Sequence, residues 1–252
     1  MDIARNLDHP KTLEKSKRSA VPALLNGLSV LSVFAAAIIL YMSLVYAGTD
    51  LTQGNVQRIF YIHVGSFAGA ATAFFVSVVG AIAYLRTRSN RWDTLSVASI
   101  EVGLMLSVVT LCTGSIWARP TWNTWWTWDP RLTSAAIMAL TYAAYLMLRT
   151  GIENPDKRRL FAAVYAILAI STVIFTTIII RIRPDTIHPA VIGPSPVNSE
   201  GGFEMAENMS AALGTSAALM TLIVTPTLIW WRIRLENLLE TIQKLQVKSL
   251  SN

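Results

Sequence analysis

Five of the eight tryptophans fall in one stretch, Trp117 to Thr133, which reads WARPTWNTWWTWDPRLT. They are Trp117, Trp122, Trp125, Trp126 and Trp128, with Arg119 and Arg131 beside them and Asp129 closing the aromatic run. Trp122, Trp125 and Trp126 stand at i, i+3 and i+4, so a helical backbone would align their rings on one face. Such a face suits a flat ligand that water rejects, and guanidinium groups beside it can pair with carboxylates. The chain has three histidines: His9, His63 in QRIFYIHVGS and His188 in DTIHPAV. Two imidazoles bracketing an aromatic platform are what the six-coordinate iron of a planar macrocycle requires.

Each of these residues also has an ordinary reading. Tryptophan is common at membrane interfaces, which accounts well for Trp92 and the pair Trp230-Trp231. An interfacial belt needs one or two anchors per helix end, whereas Trp122 to Trp128 holds four rings in seven residues. His63 alone reads as a satisfied interfacial histidine, and His188 as a loop residue before a proline. Asp129 before Pro130 is a strong helix start, a cap with proline at the first helical position. What moves the balance is coincidence, because both histidines outside the N-terminal tail fall on the platform's side of the membrane. Haem, held non-covalently and transiently as the b type, is the ligand that fits.

The elements that must position these residues are membrane helices. The chain of 252 residues is 53% hydrophobic and 14% charged, against the roughly 25% charged of soluble domains. Six stretches approach or exceed the length of about 20 mostly apolar residues needed to span a bilayer. They are Leu24–Tyr46, Ile59–Leu85, Leu95–Trp117, Leu132–Leu148, Leu160–Ile180 and Met205–Trp231. The fold expected is an all-α, six-span membrane bundle. Sixteen of the 21 basic residues fall at one set of ends, which the positive-inside rule assigns to the cytoplasm with both termini. The net charge of +6 reflects that bias and not nucleic-acid binding.

Residues 1–23 then form a cytoplasmic tail, and 24–231 a membrane domain in contact with the lipid bilayer. That domain carries the platform 117–133 and an external loop 181–204, broken by Pro184, Pro189, Pro194, Pro196 and Gly201-Gly202. Glu200, Glu204 and Glu207 make the end of the loop acidic. Residues 232–252 form a cytoplasmic amphipathic tail, where Leu235, Leu238, Leu239, Ile242 and Leu245 recur at helical spacing. Glu101, the only acid well inside a span, is expected to snorkel or to pair with Arg86, Arg88 or Arg91. The single cysteine, Cys112, excludes a disulfide framework, and no C-x-x-C-H motif marks a c-type cytochrome. No phosphate-binding loop for ATP is present.

On QRIFYIHV, on TGSIWARPTWNTWWTWDPRLTS from Thr113 to Ser134, and on TIH ending at His188, the chain resembles a known family. This is the haem-handling, tryptophan-rich WWD family, and within it the haem exporter protein C (CcmC) type of the cytochrome c maturation system. The resemblance implies that haem lies against the tryptophan stretch at the external face. It implies His63 and His188 as axial ligands, with Arg58 and Arg131 near the propionates. It also implies hand-over to a periplasmic haem chaperone of the CcmE type, beside an ABC-type ATPase and permease and a small single-span subunit. Asn123 stands where the family usually has glycine. Arg181, Ile182, Arg183 and Pro184 replace its usual acidic, tryptophan-rich approach to the second histidine.

The expected role is haem binding and delivery without enzymatic chemistry. A b-type electron carrier would need histidine pairs within the spans, and only His63 lies in one. A secondary transporter would favour broken helices and polar groups near mid-membrane, of which Pro226 is the main sign.

Overall fold

The computed structural model describes residues 21–183, 185–189 and 205–250. Helix α1 covers Ala23–Tyr41 and passes through a π-helical turn, Met42–Tyr46, into the loop before α2. Helices α2 (Gln57–Thr87), α3 (Asn90–Trp122), α4 (Pro130–Gly151) and α5 (Pro155–Ile182) follow. Helix α6 (Glu207–Leu219) runs through a second π turn, Met220–Val224, into α7 (Thr225–Leu250). Six helical stretches are long and apolar enough to cross a membrane, one for each expected span. The helices outrun the apolar windows: α3 begins at Asn90 and ends at Trp122, because it stops at a cap and not where hydropathy falls.

Local chemistry explains the starts and stops. Asp129 accepts from the backbone N–H of Arg131 at 2.8 Å and of Leu132 at 3.4 Å, and Pro130 opens α4. Asn154 repeats the device for α5, accepting from Asp156 at 3.1 Å and Lys157 at 3.0 Å before Pro155. Helix α3 stops at Asn123, whose φ of 56° lies in the left-handed region open to glycine and asparagine. The Arg119 guanidinium donates to the Asn123 carbonyl at 2.7 Å and to its side-chain oxygen at 2.5 Å, completing that cap. In the last span Pro226 has no N–H and its ring would strike the Leu222 carbonyl, which the π turn before it relieves.

Helix α2 is the centre of the bundle, packing on α3, α5, α6 and α7. Small residues let it approach its neighbours, as in membrane bundles generally. A Cβ on Gly80 would lie 2.9 Å from the backbone of Trp92 and Ser96, and one on Gly103 would lie 2.6 Å from the Phe74 ring. Phe74 in turn stacks on the buried Tyr142 of α4, with ring centroids 3.6 Å apart and planes 7° from parallel.

Ion pairs tie the end of the bundle expected to be cytoplasmic. Buried Asp93 receives both Arg149 nitrogens, at 2.7 and 2.9 Å, with Arg159 at 3.9 Å, so the starts of α3 and α5 meet the end of α4. Glu101 pairs with Arg232 of α7 at 2.5 Å, not with Arg86, Arg88 or Arg91 as the sequence suggested. Hydropathy order along the chain gave no sign that α7 lies beside α3, and that neighbour supplies the partner. Beyond the span α7 continues as one helix. Its five apolar positions from Leu235 to Leu245 are largely exposed, and Glu240 and Lys244 pair at 3.7 Å. His9, Pro184, Pro194, Pro196, Glu200, Gly201, Gly202 and Glu204 lie outside the described residues.

Replacing Asp93 by Ala leaves Arg149 as a desolvated cation, so the variant is expected to lose about 3 kcal/mol of stability. Thermal unfolding of the detergent-solubilised protein by circular dichroism checks this. A melting temperature equal to wild type would mean that the pair is immaterial.

Candidate functional site

The chemistry-bearing residues gather at the end of the bundle where α3 stops and α4 starts. His63, in the second turn of α2, faces α3. Its Nδ1 lies 2.9 Å from the Thr110 carbonyl and 3.3 Å from the Thr113 hydroxyl. A carbonyl can only accept, so Nδ1 carries the proton and Nε2 keeps its lone pair. The Thr113 hydroxyl donates to the Val109 and Thr110 carbonyls, at 2.7 and 3.1 Å, and so offers the imidazole only its lone pairs. Gly114 makes room for the ring, since a Cβ there would sit 2.9 Å from His63 Cε1.

His188 lies in the short segment after α5, and its Nδ1 is 3.0 Å from the Pro189 carbonyl. It therefore has the same tautomer, with no partner for Nε2 among the described residues. Burial, then the Arg131 cation, then His63, push its pKa down to about 3, against a weaker upward pull from Pro189. The imidazole is neutral at physiological pH. The two histidine rings have centroids 6.5 Å apart and planes 35° from parallel. The edge of Trp122 meets the His188 ring at 6.4 Å.

Both histidines line a cavity of about 510 Å³ between α2, α3, α4, α5 and α6. Trp117, Trp122 and Trp126 form its aromatic wall, opposite Phe60, Phe67 and Leu213. Arg131 and Arg181 are the charged side chains among the described lining residues, and no carboxylate lines the cavity there. Arg131 donates to the Thr176 carbonyl and lies 5.0 Å from the centre of the Phe67 ring. A guanidinium in an apolar cavity is costly unless an anion meets it.

The tryptophan stretch is not one helix. It follows α3 as far as Trp122, reverses at Asn123 and reaches Asp129 as irregular chain, so Trp125 does not continue the face of Trp122. The reversal sorts the rings. Trp126 turns toward the cavity, whereas Trp125 and Trp128 are 59% and 78% exposed and lie outside its wall. Trp117 and Trp122 meet edge to face at 5.0 Å, and the Trp117 indole donates to Gln53 of the first outer loop at 3.0 Å. Arg58 is also outside the wall, its guanidinium directed at the Gly48 carbonyl and the Thr49 hydroxyl at 3.4 Å each.

Asp129 lies outside the wall as well, and its carboxylate does more than cap α4. It also accepts from the Ile187 N–H at 2.7 Å and the Thr186 hydroxyl at 3.1 Å, which holds the His188 segment against the start of α4. Reasoning from the sequence missed this tether, and it missed Thr110, Gly114 and Phe67. None has a local signal, because each acts on a residue far along the chain.

The sequence model of heme exporter protein C matches residues 4–248. The chain belongs to the heme exporter protein C family. It is 36% identical over 107 residues to heme exporter protein C of Paracoccus denitrificans, covering 42% of this chain and 44% of that one. Longer matches are to the heme exporter protein C of Bradyrhizobium diazoefficiens (31% over 230 residues, 89% and 82% of the two chains) and of Haemophilus influenzae (28% over 235 residues, 89% and 90%). The shorter matches span about half the length of those relatives, with 53% for the Rhodobacter capsulatus protein. With six helices long and apolar enough to cross a membrane, this member of the family is a multi-pass protein of the bacterial inner membrane.

Asp129→Ala is expected to free the His188 segment by stranding the Ile187 N–H and the Thr186 hydroxyl. Loss of such bonds is worth about 1–3 kcal/mol, so exchange of the Ile187 amide should speed up about tenfold. Hydrogen exchange read by mass spectrometry on a peptide covering 185–189 checks this. Asp129→Asn, which retains one acceptor, should fall between.

Proposed function

We propose that the protein holds haem in the cavity at the outer end of the bundle, with His63 and His188 as axial ligands, and passes it to an acceptor for cytochrome c maturation. The observation that carries this reading is the spacing of the two imidazoles, 6.5 Å between centroids, with both Nδ1 atoms engaged and both Nε2 lone pairs left over. Two metal–imidazole bonds of about 2 Å, with about 1 Å from each nitrogen to its ring centre, need roughly 6 Å. The hydrogen bonds at Nδ1 hold each ring in orientation and raise the basicity of the other nitrogen.

Trp117, Trp122 and Trp126 would flank the macrocycle as a water-excluding wall, and Arg131 would meet a propionate. Binding is non-covalent, as for a b-type haem, since among the described lining residues no cysteine is present to form a thioether. His63 is built into α2 and packed against Gly114, whereas His188 sits on a segment held by hydrogen bonds to Asp129. His188 is therefore the ligand that lets go on release. The acceptor fits a periplasmic haem chaperone of the CcmE type, with an ABC-type ATPase and permease and a small single-span subunit as further partners. This requires the cavity to face the periplasm and both termini to face the cytoplasm, as the basic residues suggest.

His63→Ala and His188→Ala should each abolish the low-spin bis-imidazole absorption bands of the haem-loaded, detergent-purified protein. If both variants keep the wild-type spectrum, the ligand assignment is wrong. Trp122→Ala with Trp126→Ala should lower haem occupancy several-fold, by analogy with base-on-indole stacking at about 1–3 kcal/mol per ring. Trp125→Ala with Trp128→Ala should leave it near wild type. Haem content by pyridine haemochrome assay separates the two pairs, and equal losses would mean that the sorting of the rings does not matter.

A further inference from the structure

Five arginines stand at the end of the bundle that carries the histidines. Arg58 is directed at Gly48 and Thr49, and Arg119 caps α3 through Asn123. Arg183 forms a two-point pair with Asp185, at 2.7 and 2.5 Å. None of these three lines the cavity. Arg131 does, from the first turn of α4. Arg181 does so too, from the last turn of α5. Helices α4 and α5 are joined by a short turn at the far end and pack on one another, so those two turns meet. The Arg131 guanidinium in fact reaches the Thr176 carbonyl of α5. One pair of helix ends thus carries two cations, and α2 and α6 contribute the apolar Phe60, Val64, Leu213 and Ala217 to the lining.

Haem has the matching asymmetry, with two carboxylates on one edge and an apolar edge opposite. Resting on the haem-binding reading above, we propose that Arg181, with Arg131, receives the propionates. The macrocycle then enters with its carboxylate edge against α4 and α5 and its apolar edge against α2 and α6. Arg58, the position the family resemblance suggested, makes no contact with the carboxylates. Two guanidinium forks on adjacent helix ends can each form charge-assisted bonds with one carboxylate. Their shared wall also fixes which way round the ring lies.

The test uses the full-length protein in detergent, titrated with haem and with haem dimethyl ester, whose carboxylates are methylated. Wild type should bind haem more tightly than the ester. Arg181→Gln should weaken haem binding about tenfold, the equivalent of one charge-assisted bond, leave ester binding unchanged and keep the bis-imidazole spectrum. Arg181→Lys should recover part of the loss, and Arg58→Gln should change neither affinity. Equal losses on haem and ester would mean that Arg181 acts through packing and would overturn the proposal. So would an Arg181→Gln variant that binds both like wild type, or a haem-selective loss confined to Arg58→Gln. If wild type gives no bis-imidazole spectrum, the haem reading itself fails, and this orientation fails with it.

Discussion

One carboxylate holds the outer end of this bundle together. Asp129 takes four donors, two from the first turn of α4 and two from the segment that carries His188. An ionised carboxylate is an acceptor with room for about four such bonds, and here it is buried, so each bond counts for more than it would in water. Among the described residues it is the acceptor that joins Thr186 and Ile187 to α4. Opposite, His63 is fixed by helix packing. The spacing of the two imidazoles is therefore a balance between a rigidly held ring and a tethered one, which suits the proposed holding and release of haem.

The cavity exists because the bundle is tight at one end and open at the other. Toward the inner half, Gly80 and Gly103 let α3 close on α2, and Phe74 stacks on Tyr142. Toward the other end α2 presents Phe60, His63 and Phe67 to the cavity. Gly114 gives way there to an imidazole instead of to a helix backbone. The result is a largely apolar chamber whose described lining includes two imidazoles, two guanidinium groups and the hydroxyl side chains Thr110, Ser115, Thr176, Thr177 and Ser210. That is the usual plan of a ligand site, mostly apolar walls with a few placed polar groups.

The asparagine at 123 shows how a local rule shapes the site. A left-handed residue is needed where α3 ends, and asparagine meets the requirement where the family usually has glycine. Its side-chain oxygen also receives Arg119, which removes that cation from the cavity. The reversal at this residue turns Trp126 inward and leaves Trp125 and Trp128 outside. A row of indoles that reads as one platform in the sequence is thereby divided into wall and rim.

The six spans, the Asp-Pro helix start and the two histidines as candidates on one side of the bundle were legible in the amino-acid order. Each depends on near neighbours: runs of apolar residues, a cap beside a proline, a motif within a few positions. Hydropathy and capping are local free energies, and a local reading suffices for them. The tertiary structure alone decided the second role of Asp129, the pairing of Glu101 with Arg232 and the sorting of the tryptophans. It also decided which arginines line the cavity. Apart from the reversal at Asn123, those facts depend on contacts between residues tens to more than a hundred positions apart, where helix packing sets the distance and chain order carries almost no information.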